Sequence, residues 1–328
     1  MGRVVLVTGV ANPFASVAAR RLAEIGEAGD ISRVIGIDTV VPPGDLGGTK
    51  FVRADIRTPV IGKVLAVEHV DTVVHLDVNP HRTRTGGSGS KELNVIGTMQ
   101  LLAACQRSST VAKFVLGSSS AVYGTSPRDP AMWKESMLAR GGVRSGFPKD
   151  IVEVESYVRG FARRRPDVII TTLRASQILD PAMRSPLGDY FAAPVLPSSL
   201  GFDPRLQFLH LEDALAVLTE SVLEDRPGTF NLCADGVVLL SQAARRLGRP
   251  VIPLPPLGLA IAARRVIRAA GADVHPDLHR LLTYGRVLDN AALREIFGYE
   301  PMYTSAEVFE QFRQQIRPGI LASFGGTA

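Results

Sequence analysis

Short, continuously apolar runs alternate with helical stretches through the first half of the chain, and this alternation constrains the fold more than anything else. Residues 4–7, 34–37, 51–52, 73–76, 114–116 and 168–173 read as strands. Helical patterns at 16–25, 93–105 and 151–163 stand between them. Apolar runs separated by such helices imply parallel strands joined by crossover connections. A sheet of this kind is covered by helices on both faces, so its strands are apolar throughout instead of alternating. The expected class is α/β, with a doubly wound parallel sheet.

Beyond residue 173 the pattern loosens. Pro181, Pro186, Pro194, Pro197 and Pro204 exclude a central strand across this region. A helix is expected over 208–223 and a short strand over 228–232. Further helices are expected at 241–248, with Ser241 as N-cap, and at 291–297, stopped by Gly298. The domain expectation is a nucleotide-binding unit over 1–175, with segments near 205–235 returning to it. Residues 176–204 and 236–320 then form a smaller mixed α/β lobe that takes substrate.

Several classes are excluded. Hydrophobic content of 45% with 21% charged residues is that of a globular protein. The net charge of +5 is spread along the chain without an aromatic stripe, which argues against nucleic acid. Cys105 and Cys233 lie in apolar segments and read as buried thiols of a reducing compartment. His275 and His279 have no matching Cys or Glu pair, so no metal site is expected. Residues 253–271 are broken by Arg264, Arg265 and Arg268, too short an apolar run to span a bilayer. No signal peptide is expected ahead of the strand starting at Arg3, and the expected location is cytoplasmic.

The first strand runs into Gly9-Val10-Ala11-Asn12-Pro13-Phe14-Ala15 and then a helix, the strand–turn–helix that opens a dinucleotide fold. Other landmarks follow in order: Asp38 closing Val-Ile-Gly-Ile-Asp, His75-Leu76-Asp77-Val78, the stretch Val-Leu-Gly-Ser-Ser-Ser-Ala-Val-Tyr-Gly at 115–124, and Leu173-Arg174-Ala175-Ser176. Phe208-Leu209-His210-Leu211-Glu212-Asp213-Ala214 and Phe297-Gly298-Tyr299-Glu300-Pro301 complete the series. The series resembles the extended short-chain dehydrogenase/reductases, and within them the NAD-dependent epimerase/dehydratase family. It is similar to the actinobacterial proteins described as UDP-glucose 4-epimerase-like.

The resemblance implies a Rossmann-like fold, NAD as cofactor, a nucleotide sugar or related compound as substrate, transient hydride transfer as chemistry, and a homodimer. Its turn is Gly-x-x-Gly-x-x-Gly. Here Gly9 is kept, Asn12 and Ala15 replace the other two, and Phe14 lies within the turn. Asn tolerates left-handed dihedrals better than other non-glycine residues. Pro13 brings no N–H where the pyrophosphate would expect one, a loss of about 1.5–3 kcal/mol, or roughly ten- to hundredfold in affinity. Asp38 would accept from the ribose hydroxyls and repel a 2′-phosphate, favouring NAD over NADP. Asp55 and Ile56 correspond to adenine contacts, Leu76 and Asp77 to the end of the fourth strand, and Asn94 to an asparagine that organises the site.

For catalysis the resemblance implies a Ser that orients substrate and a Tyr four residues before a Lys. Ser119 takes the first role, and Lys149, followed by Glu153, takes the last, where it would also hold the nicotinamide ribose. Ser145 then stands in the Tyr position. Serine is too short and too weakly acidic to replace tyrosine. Three readings stay open: a catalytically silent NAD-responsive binding or scaffold protein; transfer of the proton step to Asp77, Tyr123 or Lys149; or a shifted alignment. Tyr123, Gln177, Arg205 and Arg286 are the candidate substrate residues.

Overall fold

The computed structural model describes residues 2–26, 29–78, 92–137, 143, 146–183, 185–255 and 276–319. Strands β1 (Arg3–Thr8), β2 (Ile31–Asp38), β3 (Lys50–Arg53), β4 (Thr72–His75), β5 (Lys113–Ser119) and β6 (Ile169–Ala175) join the strand Gly228–Leu232 in one seven-stranded sheet. Their spatial order is Gly228–Leu232, β6, β5, β4, β1, β2, β3. The β1–β2, β1–β4, β2–β3 and β4–β5 pairs are parallel. The order reverses between β1 and β4, which in an open α/β sheet is where ligands bind, at the carboxyl ends of the strands. The Rossmann-like α/β expectation holds.

The chain divides into two compact units. The first comprises Met1–Val122, Arg144–Arg174 and Leu215–Phe230 and contains most of the sheet. In it α1 (Pro13–Gly26) lies on β1 and β2, burying Ala15, Ala18, Ala19 and Leu22. α2 (Val60–Val67), α3 (Gly97–Arg107) and α4 (Gly146–Arg164) share a core with Leu6, Ile35 and Phe114 of the strands. Burying each such side chain contributes about 1.5–3 kcal/mol. The fully buried ammonium of Lys113 at the start of β5 donates to the carbonyls of Val222 (3.1 Å) and Glu224 (2.6 Å). Arg3 donates to Leu223 O, so two cations cap the end of helix Leu211–Leu223, where the dipole is negative.

The second unit comprises Tyr123–Val143, Ala175–Ala214 and Asn231–Ala328. Its core gathers Phe191, Phe208, Phe309 and Phe312, with Phe191 edge-on to Phe309 at 5.4 Å. The proline-rich stretch forms no central strand. Leu196–Ser199, which includes Pro197, pairs with Val251–Leu254 in a separate two-stranded sheet. Helix Ser305–Gln315 begins with reciprocal capping between Thr304 and Glu307.

Local expectations needed correction at two places, and two helices found where expected carry a π-helical turn. The helix expected over 208–223 begins at Leu211; Phe208–Leu209 is a strand paired with Gln177–Ile178. Ser241 is not an N-cap, because its helix starts at Leu240. Its amide and hydroxyl instead donate to Asp203, at 2.9 and 2.6 Å, so a distant carboxylate does the capping. The helix expected at 93–105 opens with a π-helical turn, Glu92–Ile96, ahead of α3. Residues 293–297 likewise form a π-helical turn, stopped by Gly298 at φ +89°. Most of the 253–271 segment, and His275, lie outside the described residues; no described helix is long and apolar enough to cross a membrane.

Candidate functional site

Gly9, which ends β1, has φ +78°, and a Cβ there would stand 2.9 Å from the Cα of Asp77. Glycine is therefore required twice over, by backbone conformation and by the approach of the β4 end. Asn12 does not use its tolerance for left-handed dihedrals; among the described residues the one non-glycine with positive φ is His69. Asn12 is instead the N-cap of α1. Its Oδ1 accepts from Phe14 N–H at 3.0 Å, its carbonyl accepts from Ser16 N–H, and Pro13 fills the first helical position.

The other amides of the turn are also donated within the protein. Gly9 and Val10 give theirs to Ile37 O, Asn12 to Gly9 O, and Ala11 to Asp38 Oδ2 at 3.0 Å. Asp38 is buried at the end of β2, and its Oδ1 accepts from Val40 N–H at 3.1 Å. Asp55 is gripped by Arg57, whose Nη2 lies 2.6 Å from Oδ2. That hydrogen bond raises the Arg57 pKa, with smaller contributions from the charges of Glu92 and Asp77. Ile56, Leu76 and Asp77 are buried. Among the described residues no group of three or more His, Cys, Asp or Glu could hold a metal ion.

Asn94 is fully buried on the π-helical turn, a distortion frequent at functional sites. Its Nδ2 donates to Asp150 Oδ2 of α4 at 3.2 Å, and its carbonyl accepts from the Thr98 hydroxyl at 2.6 Å. Thr98 has one proton, so its oxygen must accept from His75 Nε2, 2.8 Å away. His75 Nδ1 then accepts from the Thr8 hydroxyl at 2.8 Å, and Thr8 Oγ1 accepts from Leu76 N–H. The neutral Nε2–H tautomer is the one these bonds assign, in a chain that runs from the end of β1 to α4. Thr8, His75, Thr98 and Asp150 were not among the sequence candidates. Thr8 and His75, polar residues closing apolar strands, were the available signal.

Ser119 ends β5, and its Oγ accepts from Ala121 N–H at 3.2 Å. On α4, Phe147, Ile151 and Glu155 form one row buried at four-residue spacing, and Asp150, Val154 and Val158 form a second beside it. Glu155 accepts from the Ser118 hydroxyl (2.7 Å) and from Arg174 of β6 (2.9 and 2.6 Å), with both charges buried. Lys149 lies off that stripe. Its side chain is 45% exposed and stands 3.7 Å from Glu153, on a side continued by exposed Tyr157. Ser145 lies outside the described residues.

The candidate substrate residues belong to the second unit. Tyr123 is buried, stacked on Trp133 at 4.9 Å, and its phenol donates to Asn231 Oδ1 at 2.7 Å. Arg286 is a buried residue. It donates to Gly124 O (3.0 Å) and Thr125 Oγ1 (2.8 Å), and burial pushes its pKa down to about 10, leaving it charged at neutral pH. Arg205 is exposed and donates to Ala131 O, and Gln177 is half-buried.

Residues 5–186 match the family described as NAD dependent epimerase/dehydratase. An uncharacterised protein of Mycobacterium bovis is 43% identical over 317 residues, covering 94% of this chain and 83% of its own length. Among solved structures, the fold is similar to dTDP-glucose 4,6-dehydratase of Bacillus anthracis in complex with NAD. The TM-score there is 0.71 and the identity 16%, over 95% of this chain and 96% of that one. It is also similar to UDP-glucose 4-epimerase of Thermotoga maritima with UDP-glucose, with a TM-score of 0.70 and 16% identity over 95% and 97% of the two chains. Those two likenesses carry the fold alone, whereas the sequence match over 5–186 carries more: the chain belongs to the NAD dependent epimerase/dehydratase family.

Proposed function

We propose that this protein binds NAD, in preference to NADP, together with a nucleotide sugar or related compound, and holds them without the family's proton-transfer pair. The residues fit the adenosine half of NAD. Asp38 presents a buried carboxylate at the end of β2, beside the ordered Asp55–Arg57 pair and buried Ile56. Gly9, Asn12 and Phe14 would meet the pyrophosphate, and Leu76, Asp77 and Asn94 would line the path to the nicotinamide. The bound nicotinamide would supply a hydride acceptor. Ser119 would orient a ligand hydroxyl, and Tyr123, Gln177, Arg205 and Arg286 are the residues we propose for substrate.

The observation that carries the silent reading is the stripe on α4. A Tyr and a Lys spaced by four act together only from one helix face. The face that carries the buried Glu155 presents Phe147 and Ile151, neither of which can move a proton. Lys149, on the other side, is paired with Glu153. The second reading is turnover by transient hydride transfer, UDP-glucose 4-epimerase-like, with Ser119 and Lys149 as catalytic residues and Ser145 in the Tyr position. It is favoured by Ser119 closing the strand β5 and Lys149 lying in the first turn of α4. A homodimer is the expected assembly; Ile96, Met99 and Tyr157 are large apolar side chains exposed on and beside α3 and α4.

The test is thermal melting with NAD, NADP, UDP-glucose and UDP-galactose, followed by an assay for interconversion of the two sugars. Stabilisation by NAD without interconversion is the expected result. Interconversion at an ordinary enzymatic rate would establish the second reading, and no shift with any ligand would reject both.

A further inference from the structure

In the Gly9–Phe14 turn, the amide-bearing residues Gly9, Val10, Ala11, Asn12 and Phe14 donate within the protein, and Pro13 has no amide. At a dinucleotide turn, backbone N–H groups at the start of the helix are what an anion binds. In α1 the first helical position is Pro13, and the N–H of the second, Phe14, is taken by the Asn12 carboxamide at 3.0 Å. A neutral oxygen thus stands on the donor that a phosphoryl oxygen would use. The Asp38 carboxylate holds the Ala11 amide as well, and the backbone of Asp77 lies against Gly9.

We propose that Asn12 is a specificity-determining residue of the turn, an internal stand-in for phosphate that any pyrophosphate-containing ligand must displace. The proposal rests on the NAD reading above and deepens it. Displacement exchanges a neutral hydrogen bond for a charge-assisted one and returns Asn12 to water, so the net gain from the pyrophosphate is small. Recognition then shifts toward the adenosine end, where Asp38 acts. The protein therefore discriminates weakly between adenosine and ADP-ribose, whereas a turn with open amides would favour ADP-ribose strongly.

Removing the competitor reverses this. Asn12→Gly leaves a residue that N-caps nearly as well, so α1 stays folded. It opens the Phe14 N–H to the ligand. The affinity for NAD and ADP-ribose should rise about tenfold, the difference between a charge-assisted and a neutral hydrogen bond, while the affinity for adenosine stays the same. Asn12→Ala removes the same oxygen with a different backbone preference and should give the same selective gain. Asn12→Asp keeps the cap, adds negative charge, and should weaken NAD while sparing adenosine.

The experiment is calorimetric titration of wild type, Asn12→Gly and Asn12→Ala with NAD, ADP-ribose and adenosine. Melting of each variant serves as a readout of folding. A gain confined to the two pyrophosphate ligands, in both variants, is the expected result. Wild type binding NAD with no gain in either folded variant, or an equal gain for adenosine, would overturn this proposal and leave the NAD reading standing. Absence of heat from NAD with all three proteins would overturn both.

Discussion

Replacing Arg174 by Met takes from the Glu155 carboxylate its buried bidentate partner and leaves it only the longer contact to half-exposed Arg159, at 3.4 Å, besides the Ser118 hydroxyl. In the native protein the pair is bidentate, at 2.9 and 2.6 Å, with the two side chains 5% and 3% exposed. It ties α4 to β6, and through the Ser118 hydroxyl to β5. Removing one partner of a buried pair costs about 3–5 kcal/mol, because the other remains charged in a medium of low dielectric. With an unfolding entropy of about 2.1 cal/mol/K per residue over the chain, that is a fall in Tm of roughly 4–7 °C. Glu155→Met should cost a similar amount, since it takes the carboxylate partner from buried Arg174 and the acceptor from Ser118. The double variant should cost less than either single one, because two apolar side chains of similar volume replace a pair whose desolvation offset much of its attraction. The assay is urea and thermal unfolding of the four proteins in a double-mutant cycle. Single losses below about 1 kcal/mol, or strict additivity in the double variant, would refute the reasoning.

Four further outcomes are expected. Glu68, hydrogen-bonded to Lys50 and beside Arg33, has its pKa lowered below 4.5, so its stabilising contribution is full above that value and is lost as pH falls through the depressed one. The stability difference between wild type and Glu68→Gln should be flat at higher pH and shrink in acid; a difference that persists unchanged far below 4.5 would contradict this. Burial pushes the Cys105 thiol up to about 12 and raises Cys233 as well, so a thiol reagent should label neither in the native protein and both once denatured; rapid native labelling would show that these sites open. Phe147→Tyr with Ile151→Lys should gain nucleotide-sugar turnover where Ser145→Tyr does not, and the reverse outcome would restore the alignment on Lys149. Light scattering should give twice the chain mass, and Tyr157→Glu should lower it; a monomer in both would remove the homodimer.

The sheet was legible because parallel strands buried on both faces announce themselves as unbroken apolar runs, and β1, β2, β4 and β5 all do. What escaped depended on partners remote in sequence. Phe208–Leu209 runs straight into the helical pattern of 211–223 but is a strand because it pairs with Gln177–Ile178. Ser241 looks like a cap, yet the capping carboxylate arrives from Asp203, 38 residues away. At the site, Gly9 and Asp38 could be placed from the strand ends alone. The role of Asn12 could not, because a residue able to mimic glycine in φ is equally able to cap a helix, and only the helix start at Pro13 decides between them. Glu155 was passed over for Glu153 because spacing from Lys149 says nothing about which carboxylate faces Arg174.

The most direct test of the central claim is a side-by-side calorimetric titration of the purified protein with NAD and NADP. Saturable heat with NAD, weaker or absent with NADP, and abolished by Asp38→Lys, is the predicted result. No heat with either coenzyme, or tighter binding of NADP, would contradict the account.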